Sequence, residues 1–236
     1  MFEWLASPEA WVALGTLMAL EIVLGIDNII FISLVAGKLP KHQQKKARIG
    51  GLTLAMLTRV LLLLGITWII GLTKPVLTFG DFDLSWRDII LLAGGLFLLV
   101  KSTLEIHHKV EGQHETEKEI KVKSFNLAIA QIVMLDIIFS FDSILTAVGL
   151  TTQVILMIIA VIISILVMMI FAKAVSDFVN NHPTIQILAL SFLILIGVML
   201  IVEALHYHVP KGYIYFSVFF SLAIEMLNMR YRKKNV

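Results

Sequence analysis

The sequence EIVLGIDNIIF, residues 21–31, places two carboxylates and an amide, Glu21, Asp27 and Asn28, inside an apolar segment long enough to cross a bilayer. An ionised acid at the centre of a membrane costs about 3 kcal/mol or more on insertion scales, so such residues are rare there and usually mark ion or proton pathways. This stretch therefore predicts a membrane-spanning helix that carries part of a functional site.

The same pattern recurs in DIIFSFDSILT, residues 136–146. Asp136 and Asp142 are again six positions apart, and Ser143 stands where the first stretch has an amide. Carboxylate, amide and hydroxyl oxygens suit hard divalent cations such as manganese, magnesium or calcium. Two matching acidic stretches therefore indicate a cation pathway. The candidate metal ligands are Glu21, Asp27, Asn28, Asp136, Asp142 and Ser143.

The composition is that of an integral membrane protein. Of the 236 residues, 58% are hydrophobic and 15% are charged, and the mean hydropathy is +0.92, whereas a soluble domain is about half apolar and about a quarter charged. The chain has no cysteine, which excludes disulfides and thiolate metal sites. We expect a lipid bilayer as the surroundings and no nucleic-acid partner. The first ten residues contain Glu3 and Glu9 but no basic residue, so we expect no cleaved signal peptide.

Seven apolar segments are long enough to cross the hydrocarbon as helices, which takes about 17 to 25 residues. They lie at about 11–36, 50–72, 88–106, 125–150, 153–175, 185–205 and 212–229. We therefore predict an all-α membrane protein with seven transmembrane helices in a single transmembrane domain.

An internal repeat relates the two halves of the chain. Placing Asp27 on Asp142 superimposes the first predicted helix on the fourth, and GLFLLVK at 95–101 matches GVMLIVE at 197–203 in the third and sixth. Because three crossings invert the second copy, this pattern predicts a 3+3 inverted repeat, as in many secondary transporters. The predicted parts are repeat one at 11–106, a polar cytoplasmic loop at 107–124, repeat two at 125–205 and an extra C-terminal helix at 212–229.

Orientation follows from the lysines and arginines, because cytoplasmic loops hold the excess of these residues. Fourteen of the 19 basic residues follow the odd-numbered helices, and only Lys74, Arg87 and Lys211 lie on the opposite side. This distribution predicts a multi-pass protein with its N-terminus outside the cell membrane and its C-terminus in the cytoplasm.

The segment 107–124 is the one clearly polar stretch between predicted helices. Its mixed charges are typical of a solvated linker. Its histidines, His107, His108 and His114, suggest a metal-collecting role as a less favoured alternative.

Acids outnumber bases within the predicted helices, with Glu21, Asp27, Asp136, Asp142 and Glu203 against Arg59 and Lys101. The excess means that some carboxylates are protonated or that a cation neutralises them. We expect Arg59 to be the counter-charge of a buried acid, and Lys101 to pair with Glu203 across the repeats. The alternative is that the acids pair with these two bases and only fix the packing of the helices.

The six-residue spacing allows two arrangements of the acids. On a regular helix, residues six apart are separated by about 240° and roughly 9 Å along the axis, so they do not share a face. A local break at Gly25 and at Ser140 would turn all four acids inward, as broken helices do in some transporters. Alternatively, Asp27 and Asp142 hold the ion, while the two outer acids relay protons or bond to a neighbouring helix. We favour the second arrangement.

These motifs resemble the TerC family of bacterial integral membrane proteins, within the larger LysE-like group of exporters. The resemblance is carried by EIVLGIDNIIF and DIIFSFDSILTAVG, with support from residues 182–203 and 209–228. It covers nearly the full length and matches the short members that lack an appended soluble domain.

The resemblance implies a protein of the bacterial inner membrane that takes part in metal homeostasis. In that membrane, the orientation expected from the lysines and arginines places the N-terminus in the periplasm. Several relatives are manganese exporters, and the founding group is linked to tellurite resistance. The acidic motif residues of the family correspond to Glu21, Asp27, Asn28, Asp136, Asp142 and Ser143. The chain departs from many relatives in having Gly25 where they have serine, which removes a hydroxyl ligand at that place.

We therefore expect a secondary transporter, and not an enzyme, that exports a divalent metal cation, with manganese favoured, by proton exchange at a buried acidic site. The metal is the cargo, and no resident cofactor is expected. The chain has neither the GxxxxGK[ST] motif of ATP-binding proteins nor the Gly-x-Gly-Asp pattern of intramembrane aspartyl proteases. The alternative is a membrane assembly or stress-complex component without transport activity, whose polar loop recruits partners; the sequence identifies no protein partner.

Overall fold

The computed structural model describes residues 7–79, 82–111, 124–151 and 153–234, and most of these residues are helical. The helices are α1 (Pro8–Gly37), α2 (Lys41–Leu64), α3 (Ile66–Gly71), α4 (Trp86–Val110), α5 (Phe125–Leu150), α6 (Val154–Asn181), α7 (Pro183–Ala204) and α8 (Lys211–Lys234). All of these except α3 are long and apolar enough to cross a membrane. The predicted all-α membrane fold with seven spanning helices is confirmed, whereas the inverted repeat stays a prediction.

Several helix boundaries differ from the predicted ones because hydropathy detects lipid-facing residues and not helical ones. Helix α2 begins at Lys41, among basic residues, and ends before Gly65, where the short helix α3 begins a new segment. Helix α4 continues to Val110, so His107 and His108 are helical and not part of the predicted loop. His114, with the rest of residues 112–123, lies outside the described residues.

A two-stranded β-hairpin, which the sequence analysis did not predict, connects α3 to α4. Its strands are β1 (Pro75–Phe79) and β2 (Phe82–Ser85), paired antiparallel with Leu77 opposite Leu84. The first strand contains valine, threonine and phenylalanine, which favour extended backbone. The segment is shorter than a membrane span, so a search for long apolar runs passes over it.

Helices α1 and α5 are continuous through both acidic motifs, so the less favoured arrangement, with a break at Gly25 and Ser140, does not occur. At Ser140 the hydroxyl donates to Asp136, one helical turn earlier, and the serine is accommodated without interrupting the helix. At 1.5 Å per residue, the 30 residues of α1 extend about 45 Å, which is more than a bilayer core requires.

The chain divides into two compact units. The first comprises Met1–Ser85 and Val122–Asp177, and so contains α1, α2, α5 and most of α6. Small residues bring its helices together: a β-carbon on Gly51 of α2 would lie 2.9 Å from the Ile132 side chain of α5. In the same unit, the Ser164 hydroxyl of α6 donates to the Met18 carbonyl of α1 at 3.3 Å.

The second unit comprises Trp86–Lys121 and Phe178–Val236, and so contains α4, α7 and α8. Helices α4 and α7 are antiparallel. The first turn of α4 meets the end of α7, where His206 contacts Asp88, and the last turn of α4 meets the first turn of α7, where Lys109 donates to Gln186.

Candidate functional site

Arg59 of α2 lies between the outer acids of the two sequence motifs, inside the first unit. Its side chain is only 2% exposed. One terminal nitrogen lies 2.5 Å from Oε2 of Glu21 on α1, and the other lies 2.9 Å from Oδ1 of Asp136 on α5. The Nε atom also donates to the same Asp136 oxygen at 3.1 Å. A single guanidinium therefore connects three helices through two buried carboxylates.

Asp136 is surrounded by hydrogen-bond donors. In addition to the two nitrogens of Arg59, its Oδ1 accepts from the amide of Asn28 at 3.1 Å. Its Oδ2 accepts from the hydroxyl of Ser140 at 3.3 Å. The Thr58 hydroxyl lies 3.4 Å from Oδ2 but is closer to the Ala55 carbonyl, at 2.9 Å. Four donors aimed at one buried side chain match an ionised carboxylate, which offers about four lone-pair sites and donates nothing.

The two motifs exchange contacts through their smaller polar residues. Asn28 of the first motif donates to Asp136, the outer acid of the second, and Ser143 of the second motif interacts with Glu21, the outer acid of the first. Ser143 also donates to the Ser140 carbonyl at 3.2 Å. Both smaller residues are buried. The structure therefore brings Glu21, Asn28, Asp136 and Ser143 together.

The side chains of the two central acids, Asp27 and Asp142, lie outside the described residues. Their backbones are helical, on α1 and α5, six residues beyond the outer acids. Among the side chains that the structure describes, no group of three or more histidines and acids is arranged to hold a metal ion. The assignment of Asp27 and Asp142 as metal ligands therefore stays a prediction.

The described charges of this cluster do not cancel. With both outer acids ionised, Glu21, Asp136 and Arg59 sum to one negative charge. The outer acids bond to Arg59 of a neighbouring helix, as one part of the second arrangement predicts, whereas the other part, in which Asp27 and Asp142 hold the ion, stays a prediction. Arg59 occupies the counter-charge position expected from the sequence.

The predicted ion pair between Lys101 and Glu203 is replaced by a different one. Glu203 lies 3.9 Å from the guanidinium of Arg87, a residue that the sequence analysis had assigned only to an outer connection. Lys101 and Glu203 each follow a glycine of the α4–α7 crossing by six residues, Gly95 and Gly197. Because these helices are antiparallel, the two residues lie about 9 Å beyond the crossing in opposite directions. Lys101 and Glu203 are therefore kept apart because they occupy equivalent positions on two antiparallel helices.

Arg87 belongs to a second polar cluster that sequence reasoning missed, at the junction of α4 with the end of α7. Asp88 is 2% exposed, its Oδ1 lies 3.6 Å from Arg87, and its Oδ2 lies 3.1 Å from Nε2 of His206. His206 has a positive φ of 65°. Its amide donates to Glu203, and the next amide, of Tyr207, donates to Val202. These two hydrogen bonds satisfy carbonyl groups in the last turn of α7, and they require the left-handed backbone of His206.

Comparison with known proteins identifies relatives over the whole chain. A UPF0053 protein of Haemophilus influenzae (strain ATCC 51907 / DSM 11121 / KW20 / Rd) is 54% identical over 235 residues, which cover 99% of each chain. The UPF0053 inner membrane protein YgdQ of Escherichia coli K12 is also 54% identical over 235 residues, covering 100% of this chain and 99% of the relative. The UPF0053 inner membrane protein YoaE of the same organism is 46% identical over 232 residues, which cover 98% of this chain but 45% of that longer protein.

No solved structure matches the chain. The model of the family described as "Integral membrane protein TerC family" matches residues 6–235. Together with the near full-length relatives and the seven apolar helices, this match establishes that the chain is a multi-pass membrane protein of the TerC family.

Proposed function

We propose that this protein is a secondary transporter that exports a divalent metal cation, with manganese favoured, in exchange for protons. The observation that carries the proposal is the buried cluster of Glu21, Asp136 and Arg59, in which two acids share one base inside the membrane spans. Uncompensated negative charge is unfavourable there, so a cation or protons must neutralise it.

The two central acids strengthen this argument. Asp27 and Asp142 belong to the same helices as the outer acids, so the motifs contribute four carboxylates against the single guanidinium of Arg59. A divalent cation neutralises two carboxylates at once, and oxygen donors select hard ions over soft ones. Carboxylates also bind protons, which makes exchange of metal for protons the simplest coupling.

Transport into sealed vesicles tests this proposal. Purified protein is reconstituted into liposomes, and radiolabelled manganese uptake is measured with and without a pH gradient. We expect wild-type vesicles to accumulate manganese faster than empty ones, and faster still when the interior is acidic, because protons then leave as manganese enters. Asp27→Asn and Asp142→Asn should each reduce the rate at least tenfold.

Asp177→Asn is the matched control, because Asp177 is an exposed acid near the end of α6 in the same unit. We expect this variant to transport at the wild-type rate. Wild-type vesicles that take up manganese no faster than empty ones would contradict the proposal, as would full activity in both variants of the central acids.

A further inference from the structure

Arg59 holds its two acids unequally. It makes two hydrogen bonds to Asp136, from Nε and a terminal nitrogen, but only a single terminal nitrogen of Arg59 bonds to Glu21. The structure also supplies Asp136 with two further donors, the amide of Asn28 and the hydroxyl of Ser140. The contact with Glu21 is therefore the more easily released of the two.

A metal ion and a guanidinium cannot use the same carboxylate lone pair. Both oxygens of Asp136 already accept hydrogen bonds, so a cation that coordinated this residue would have to remove several donors at once. Coordination by Glu21 requires the loss of one hydrogen bond from Arg59, and the other partner of Glu21 is the small hydroxyl of Ser143. Of the two outer acids, Glu21 is thus the one that is accessible to a cation at the lower cost.

From these contacts, and assuming the cation transport proposed above, we propose that Arg59 is a tethered competitor of the transported cation. In the cation-free protein the guanidinium neutralises Glu21, and the arriving cation takes its place there while Arg59 stays on Asp136. Release of the cation is then assisted by the return of the guanidinium. Arg59 is in this sense a positioning residue, because it never leaves the site and sets how tightly the cargo is held.

The chemistry of arginine suits this role better than that of lysine. The planar guanidinium presents donors in several directions from one rigid group, so it can bond two carboxylates at the same time. An ammonium group is a compact point charge, and we expect Arg59→Lys to keep the contact with Asp136 and to lose the one with Glu21.

Manganese binding to the purified full-length protein provides the test. We expect isothermal titration to give a dissociation constant at least fivefold lower for Arg59→Lys than for wild type, because Glu21 is no longer blocked. In vesicles, the same variant should turn over at least fivefold more slowly, because release is no longer assisted. A merely structural arginine would not combine tighter binding with slower transport.

Arg48→Lys is the matched control. Arg48 is a second buried arginine of α2, and its terminal nitrogen donates to the Ser176 hydroxyl at 3.1 Å. We expect binding and turnover of this variant to stay within twofold of wild type. An equal change in both variants would show a general effect of altering buried arginines and would overturn the inference.

A measurement on the wild-type protein covers the case in which Arg59→Lys does not fold. Arginine carrying ¹⁵N shifts the infrared bands of the guanidinium, and we expect manganese to change such a band in the difference spectrum. An unchanged guanidinium band, or unchanged affinity in a folded Arg59→Lys variant, overturns the inference while leaving transport intact. Wild-type protein that neither binds nor transports manganese contradicts the proposed function as well.

Discussion

A methyl group on Gly95 would lie 2.6 Å from the carbonyl oxygen of Gly197, and one on Gly197 would lie 2.9 Å from the carbonyl oxygen of Gly95. The backbones of α4 and α7 therefore meet at this crossing without a side chain between them. Such close approach through small residues is typical of helix pairs in membranes, where packing and not the hydrophobic effect holds helices together.

Replacing either glycine with alanine should destabilise the protein, because the added carbon meets backbone, which cannot move aside as a flexible side chain can. We expect Gly95→Ala and Gly197→Ala each to cost about 1–3 kcal/mol, the usual cost of overpacking. Thermal unfolding followed by tryptophan fluorescence in detergent measures this loss. Gly15→Ala is the control, since nothing lies within 4 Å of the added carbon; equal melting temperatures in all three variants would contradict the prediction.

Much of the fold could be predicted because membrane-spanning helices are recognisable in a sequence by their length and hydropathy. Helix α5 shows this, since its observed limits, Phe125–Leu150, are those of the fourth predicted segment. The start of α2 could not be found in this way, because Lys41 to Lys46 are polar residues in a helix that continues beyond the apolar region. The hairpin at Pro75–Ser85 was missed for the opposite reason, being extended and too short to span a bilayer.

The sequence could predict which residues belong to the site, but not which of them form ion pairs with one another. Ionisable residues within spans are few, so Glu21, Asp136 and Arg59 could be selected from the sequence as charged partners. Which base meets which acid depends on the direction and offset of neighbouring helices. Arg87 reaches Glu203 because the start of α4 lies beside the end of α7, and this is a property of the assembled helices.

The outer acids should differ in their tolerance of neutral amides. In Asp136→Asn, the amide carbonyl can replace Oδ1 beside the N–H donors of Arg59 and Asn28, but the negative charge that faces the buried guanidinium is lost. We expect a loss of about 3 kcal/mol or more, as for a broken buried ion pair. Glu21→Gln can keep its remaining carbonyl toward Arg59 and should lose less.

Unfolding of both variants by heat, monitored by fluorescence-detected size exclusion, gives the comparison. Asp177→Asn serves again as an exposed control that should melt with the wild type. A Glu21→Gln protein that melts at or below the temperature of Asp136→Asn would show that the donors around Asp136 do not decide its stability.

His206 combines a left-handed backbone with a side-chain contact, and two substitutions separate these features. Both His206→Gly and His206→Ala lose the contact with Asp88, but only alanine retains the penalty of a β-carbon at a φ of 65°. Left-handed backbone costs a non-glycine residue roughly 1–2 kcal/mol. We therefore expect the alanine variant to be less stable than the glycine variant by about that amount in thermal unfolding, and equal stability would argue against strain at this position.

The predicted orientation can be tested cleanly because the chain has no cysteine of its own. Lys41, at the start of α2, and Thr73, after α3, are both exposed at opposite ends of the second membrane segment. The lysines and arginines predict that α2 begins in the cytoplasm. Thr73→Cys should then react with a membrane-impermeant maleimide in intact cells, and Lys41→Cys only after the membrane is opened. The parent protein without cysteine controls for unspecific labelling. Labelling of Lys41→Cys in intact cells, with protection of Thr73→Cys, would show the opposite topology. The protein would then have the opposite orientation to the one on which the proposed export is based.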